Sequence, residues 1–411
     1  MRARLVTVGL VIVYLAVLGA MGGRGEWGRL GVPPGKLSFE DLRSVTTGWE
    51  CTRRGIPVIA MNPCDPLERP ANYPQIWMRA SSWHLDRFTI ALGFVVAAVA
   101  GLAALLVVPP DAPAWTGIVH AGAICSPAVM LGFERGNVDL LLFGLVVAAA
   151  LVVRKGIRGS VAAHVLLLIA AILKLFPIFA AGMLVRRARD RRALALLVGL
   201  LGAFGLYAIL ILSEIRTIAR VVPQTDLHSY GVRTVAIWWS TEVPPYSARF
   251  WGLVFVAVAA ALALRFAPRL PSTLAPLTDA EQRDLDLFWA GACTYVLTFA
   301  LFLSFDYRLI FLLPTVPQLL RWTTAGSRVA VTALVFMFLT LWLASPWTDV
   351  PLLGWVERSW RYVTALHPVA NYNPLTAAPT VQLVLAFSLL VALAGSLPVR
   401  LPARRGDHLV S

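Results

Sequence analysis

The chain is poor in charge. Only 14% of its 411 residues are Asp, Glu, Lys or Arg, against about 25% in soluble domains. Lysine is nearly missing: Lys36, Lys155 and Lys174 are the three present. There are four cysteines and six histidines, and none falls in a zinc-finger spacing. There is no GxxxxGK[ST], no GxGxxG after a strand, and no GxSxG. A nucleotide-hydrolysing enzyme, a metalloenzyme or a serine hydrolase therefore has no motif to stand on. No internal repeat is visible.

What fills the chain is apolar sequence, 58% of it. Runs long enough to cross a bilayer recur along the whole length, which implies an all-α, polytopic transmembrane bundle. Such runs begin with the N-terminal "MRARLVTVGLVIVYLAVLGAMGG", read as a retained first helix although it also has signal-peptide features. Others lie near 88–108, 115–133, 138–153, 160–185, 193–213, 250–266, 286–305, 308–320, 327–345 and 380–398. The expected total is about 11–13 spans in one domain, residues 1–411.

The net charge of +14 invites a nucleic-acid reading, but the basic residues gather at span ends, as cytoplasmic anchors do. Arg2 and Arg4 put the N-terminus in the cytoplasm. So do Arg154, Lys155 and Arg158 for their loop, the arginines at 186–192 for the next, and Arg400, Arg404 and Arg405 for the C-terminus. Loops 23–87, 214–249 and 346–379 then fall outside. Segment 160–185 has basic residues at both ends, so a single crossing would put one cluster on the wrong side. A break at Lys174–Pro177 resolves this. One half-span rises and a second returns, because proline removes a helix hydrogen bond and a break at membrane depth needs protein or a wet cavity around it. Lys174 then sits near the tip of the hairpin, within reach of the RGN turn, with phosphate as its counter-charge or Glu134 when the site is empty. A proline-kinked single span is the alternative.

Intramembrane ionisable residues are costly, and so are functional candidates. Four groups map to the expected outer side: Glu40 and Asp41 in "LSFEDLRSV"; Glu134, Arg135, Asn137 and Asp139 in "FERGNVDLLLFGL"; Lys174; and Asp306, Tyr307 and Arg308 in "LSFDYRLIF". Structural roles are open to each: a turn ion pair for Glu134–Arg135, an interfacial anchor for Asp306–Arg308, a helix cap in "SFED". The first outer loop is too long for a mere connector. It holds Cys51 and Cys64, which the oxidising side allows to pair, while Cys125 and Cys293 fall in spans.

"FERGNVDLLLFGL" followed by "LLIAAILKLFPIFAAGMLVRRARDRR" resembles glycosyltransferase family 87, over about 60 residues. The pair of motifs, RGN and then KxFP, is the specific part. Members are integral-membrane transferases of the GT-C superfamily, typified by mannosyltransferases that use polyprenyl-phosphate mannose. The resemblance implies a GT-C fold in the plasma membrane with an extracytoplasmic active site. The donor it implies is a polyprenyl-phosphate sugar, and the acceptor is lipid- or glycan-linked. Nucleic acid is not implied, and neither is a protein partner. Asp41 matches the family's catalytic carboxylate, with Glu40 its acidic neighbour. Arg135, Asn137, Lys174, Asp306, Tyr307 and Arg308 are the donor-binding candidates, and Glu134 a turn ion pair. Where relatives often carry histidine in the late polar turn, this chain has "FDYR". No cofactor is expected, with a divalent metal at Glu40–Asp41 the less favoured option. A transporter, flippase or ligase of lipid-linked saccharides is the rival class. Against transport, no inverted repeat is visible and the polar groups crowd one face.

Overall fold

A computed structural model describes residues 1–21, 23–59, 61–188, 190–222, 229–239, 245–267, 270, 277–301, 303–343 and 377–397. Most of loop 346–379 and the arginines at 189, 269, 400, 404 and 405 lie outside the described residues.

The fold is helical. Among the described residues the one sheet is a two-residue antiparallel ladder, Ser229–Tyr230 (β1) against Ser304–Phe305 (β2). Among the described residues five helical segments are long and apolar enough to cross a membrane: Arg2–Ala20 (α1), Leu85–Val107 (whose α-helical part, α3, is Thr89–Val107), Gly156–Leu173 (α7), Arg191–Leu210 (α9) and Asp279–Leu301 (α13). The expected 11–13 spans, a broken half-span hairpin among them, are thus not all straight helices. The run expected at 115–133 is two helices, Ala114–Ile124 (α4) and Pro127–Arg135 (α5), bent by 57°. Pro127 explains the bend, since it lacks the N–H that would continue the helix. The run expected at 308–320 is a 3-10 segment, Asp306–Thr315, continued by Val316–Thr324 (α14). Pro314 and Pro317 lie inside it. Shorter apolar helices are Asp139–Val152 (α6), Phe250–Phe266 within Pro245–Phe266 (α12), Arg328–Leu343 (α15) and Val381–Gly395 within Ala377–Gly395 (α16). Two further short helices, Leu212–Val221 (α10) and Val232–Trp239 (α11), lie between α9 and α12 in the chain.

Helix α13 is the hub, with 83% of its most apolar window buried. By contrast α9 buries 11% of its window and α1 17%. The bare faces of α9 carry Leu194, Val198, Leu201, Leu206, Ile209 and Leu210, an apolar surface that suits lipid rather than water. Inside the bundle small residues bring backbones together. Helices α6 and α7 pack on each other and fully bury Ala149, Ala150, Ala163, Ala170 and Ala171. Close packing of this kind holds helices where lipid removes the hydrophobic drive.

The break at Lys174 has a visible cause. Helix α7 ends at Leu173 and Lys174 is extended. The orphan carbonyls of the last turn find side-chain donors: Trp77 Nε1 on Leu173 O at 2.8 Å, and Tyr207 OH on Ile172 O at 2.9 Å. Buried backbone freed by a break must be satisfied in this way. A 3-10 segment, Phe176–Ala181, and a short helix, Gly182–Arg187 (α8), then follow. Arg154, before the segment, and Arg186 and Arg187, at its end, all meet the carboxylate of Asp286 on α13, with Arg187 at 3.3 Å and Arg154 at 3.9 Å. The segment therefore returns to the end of the bundle it left. The lengths agree: about 27 Å for α7 at 1.5 Å per residue, and about 21 Å for the return arm when its 3-10 part rises about 2 Å per residue.

The bundle thus has two polar ends. One carries Asp284 and Asp286 with Arg154, Arg186, Arg187, Arg283 and Arg321. The N-terminus is also here, since Arg4 bonds the carbonyl of Val108, and Arg283 bonds the neighbouring Val107 carbonyl. The other end gathers the candidate site.

Candidate functional site

The first loop is folded onto this second end. Its helix α2, Glu40–Arg53, is pinned by a Cys51–Cys64 disulfide with Cα atoms 5.8 Å apart. Trp49 Nε1 donates to Trp77 O at 2.6 Å, so the segment capping the broken helix is also tied to α2. The start of α2 is set by Phe39, which has a left-handed backbone with φ of 52°. That conformation is uncommon for a bulky residue and is held only by its surroundings. The Phe39 ring fills two glycine notches. A Cβ at Gly93 would fall 2.2 Å from it, and one at Gly136 2.9 Å. Gly136 is itself left-handed (φ 57°) and ends α5, the backbone that glycine adopts freely. The middle residue of the RGN motif thus both turns the chain and seats the residue two before Asp41.

Asp41 then reaches the last residue of that motif. Asn137 Nδ2 donates to Asp41 Oδ2 at 2.7 Å, while its own Oδ1 accepts from the Asp139 backbone N–H at 2.9 Å. Arg69 Nη1 stands 3.5 Å from Asp41 Oδ1. Burial pushes the Asp41 carboxyl up. The Asn137 hydrogen bond and the charges of Arg135, Arg69 and Lys174 pull it back only in part. Tyr73 is held well above its ordinary value, first by burial and then by Asp41 and Asp139.

Beside Asp41 lies the chief cationic group. Lys174 Nζ meets Asp139 Oδ1 at 2.6 Å and Arg308 Nε meets Asp139 Oδ2 at 3.0 Å. Two cations share one carboxylate. The counter-charge of Lys174 is therefore Asp139, not Glu134 as the sequence suggests. Helix geometry explains the difference. Asp139 opens α6 and is buried at this end, whereas Glu134 sits on the last turn of α5 and faces the loop. Three rings surround the lysine: Tyr73 at 5.1 Å, Phe176 at 6.0 Å and Tyr307 at 6.0 Å from Nζ, a setting that favours a cation.

Glu134 binds Arg24, accepts the Gly35 N–H at 3.0 Å and pairs with Arg135 at 3.3 Å. Arg135 also pairs with Glu40 at 2.9 Å, and Arg69 ties Glu40 to Asp65, at 3.3 and 2.9 Å. Here three arginines (Arg24, Arg69, Arg135) meet three carboxylates (Glu40, Asp65, Glu134), a balanced clamp between loop and bundle. A cavity of about 560 Å³ opens outside it, lined by Pro34, Gly35, Lys36, Glu68 and the Glu40–Arg135 pair.

The structure thus brings Glu40, Asp41, Glu134, Arg135, Asn137, Lys174, Tyr307 and Arg308 to one end. Asp306 stands apart. It is 1% exposed, and neither carboxylate oxygen has a hydrogen-bond partner among the described residues. Among the described residues no three or more His, Cys, Asp or Glu side chains gather as metal ligands. The Glu40 and Asp41 carboxylates are turned to arginine and amide partners. Arg69, Arg24 and Tyr73 belong to the site but do not stand out in the sequence. The one signal was the i,i+4 spacing of Asp65 and Arg69. No protein-family model, curated protein or solved structure matches the chain.

Proposed function

We propose that the chain is a GT-C-type inverting glycosyltransferase that moves a sugar from a polyprenyl-phosphate donor to a lipid- or glycan-linked acceptor on the extracytoplasmic face. The observation that carries the reading is a single juxtaposition. A hydrogen-bonded carboxylate, Asp41, lies beside two cations, Lys174 and Arg308, that share one counter-charge.

That arrangement suits displacement at an anomeric carbon. The acceptor oxygen forms a bond to the carbon as the bond to the phosphate oxygen breaks, and the phosphate leaves with the electron pair. The acceptor's proton passes to Asp41, whose raised affinity for protons makes it a better base than an exposed aspartate. Lys174 and Arg308 face the charge that builds on the departing phosphate, and a partly water-free site strengthens that attraction. Arg308 offers a fork and Lys174 a point charge. The cavity outside Arg135 and Glu40 gives the acceptor a way in. The break in the helix at Lys174 gives a lipid-borne donor access from the side.

Purified protein given a panel of polyprenyl-phosphate sugars tests the reading. Release of polyprenyl phosphate coupled to transfer supports it. Uncoupled movement of intact donor across a vesicle membrane would favour a flippase instead.

A further inference from the structure

Helix α10 supplies no residue to the site described above, and its sequence, "LSEIRTIARV", is two-faced. At about 3.6 residues per turn, Leu212, Ile215, Ile218 and Ala219 fall on one side, and Ser213, Arg216, Thr217 and Arg220 on the other. The described residues bury neither side: no α10 side chain is buried. Leu212 is 42% exposed, and Arg216 and Arg220 are exposed as well. A bare apolar stripe backed by a basic face is the pattern of a helix that lies at a membrane surface.

The level of α10 in the bundle agrees. Helix α9 runs from the basic end for 20 residues, Arg191 to Leu210, about 30 Å at 1.5 Å per residue, which is the thickness of the hydrocarbon layer. Its final turns keep Leu206, Ile209 and Leu210 bare, at 60%, 70% and 72% exposed. The apolar surface of α9 thus continues up to Leu212, the first residue of α10. A second helical segment marks the same boundary. Leu85–Val107 starts just after Trp83, which is 69% exposed, and exposed tryptophan gathers where bilayer meets water. Glu214 is engaged by protein instead, since its carboxylate accepts the Gln75 backbone N–H. Gln75 lies two residues before Trp77, which caps the broken helix at Leu173, and the other cap, Tyr207, is on the last turn of α9. Helix α10 therefore borders the break at Lys174.

We propose that α10 docks on the phospholipid surface of the leaflet at the Asp41 end, with Leu212, Ile215 and Ile218 among the acyl chains and Arg216 and Arg220 at the headgroup phosphates. Continuity with the bare face of α9 argues for lipid rather than a protein partner, because acyl chains that cover α9 reach Leu212 without a gap. Arginine suits the boundary, since its stem lies on apolar surface while its head reaches the polar layer. On the transferase reading the placement has a use. It holds the headgroup layer level with the break, so the phosphate of a lipid-borne donor arrives at the depth of Lys174.

The test uses the full chain in phosphatidylcholine nanodiscs, with Cys125→Ala and Cys293→Ala and the Cys51–Cys64 disulfide kept. Single spin labels go at positions 212, 215 and 219 and at 213, 216 and 220. Their collisions with oxygen, which concentrates among acyl chains, are compared with those of a nickel chelate, which stays in water. The first three should favour oxygen and the second three the chelate, so that the preference reverses with the helix period. Chelate favoured at all six positions overturns the proposal, because both faces are then in water. Labels at 212, 215 and 219 that are immobile and reached by neither reagent overturn it too, and assign that side to a protein partner. The wild-type chain gives a check that needs no substitution: phosphatidylcholine with a diazirine in its acyl chain should crosslink to peptide 212–221 as it does to the end of α9. Crosslinking of α9 without α10 overturns the proposal. Neither readout involves sugar transfer, so a failure here is distinct from a failure of the transferase reading.

Discussion

In the proposed transfer Asp41 is the residue whose chemistry matters most, and its environment makes two separable predictions. Burial raises its affinity for a proton in the folded chain above that in the unfolded chain. Between the ordinary carboxylate value and the raised one, the folded state holds more protons, so this group's contribution to stability falls as pH rises. Asp41→Asn removes that cost and should melt no lower than wild type at neutral pH. Activity has the opposite slope, because the base must be ionised: turnover should climb with pH through the raised value. A variant that melts well below wild type would show that the carboxylate is structural. Asp139 should behave differently. It is 1% exposed and holds Lys174 and Arg308 together. Asp139→Asn leaves two buried cations facing each other, at an expected cost of about 3–5 kcal/mol, seen as a lowered melting temperature. An unchanged melt would mean the pair is open to water. Most of these residues are legible in the sequence, because a charge in an apolar run is conspicuous. Arg24, Arg69 and Tyr73 are not, because polar residues are ordinary in a long loop. Nor could spacing tell which acid Lys174 would meet, since Glu134 and Asp139 are five positions apart on different helices.

At the scale of elements, the site depends on how α2 begins. Phe39 is wedged between Gly93 on α3 and Gly136 in the RGN turn, and Asp41 follows two residues on. A side chain at position 93 must push the ring out and carry Asp41 away from Asn137. Gly93→Val is expected to lower turnover about 100-fold, the order of loss that a shift of about 1 Å produces, while donor binding at Lys174 and Arg308 changes little. Steady-state kinetics beside a donor-binding titration would check it. Wild-type turnover would place the wedge outside the catalytic geometry. The broken segment shows what charge pattern can and cannot reveal. Basic residues on both flanks of 160–185, with Lys174 and Pro177 between them, signal the break. The donors that make it tolerable, Trp77 and Tyr207, come from distant sequence, and no local pattern announces them. The bend at Pro127 and the 3-10 segment that holds Pro314 escape hydropathy for a related reason. An apolar run has the same composition whether it is straight or broken.

At the scale of the molecule, the bundle holds its basic anchors at one end and its candidate site at the other. Positive charge near span ends favours the cytoplasm, so the Asp41 end should face out. Cysteines introduced at positions 158 and 187 should label from the same side of a sealed vesicle, and a cysteine at position 68, beside the outer cavity, from the other. Labelling of 158 and 187 from opposite sides would show that the hairpin is not inserted as drawn. The central claim is that Asp41 serves as the base for sugar transfer from a polyprenyl-phosphate donor. Its most direct test is a comparison of wild-type protein and Asp41→Asn, each purified and reconstituted, for transfer of labelled sugar to acceptor. The account predicts transfer by the wild type with matched release of polyprenyl phosphate, and none by a variant that still folds and still binds donor. Equal transfer by the two proteins would contradict it.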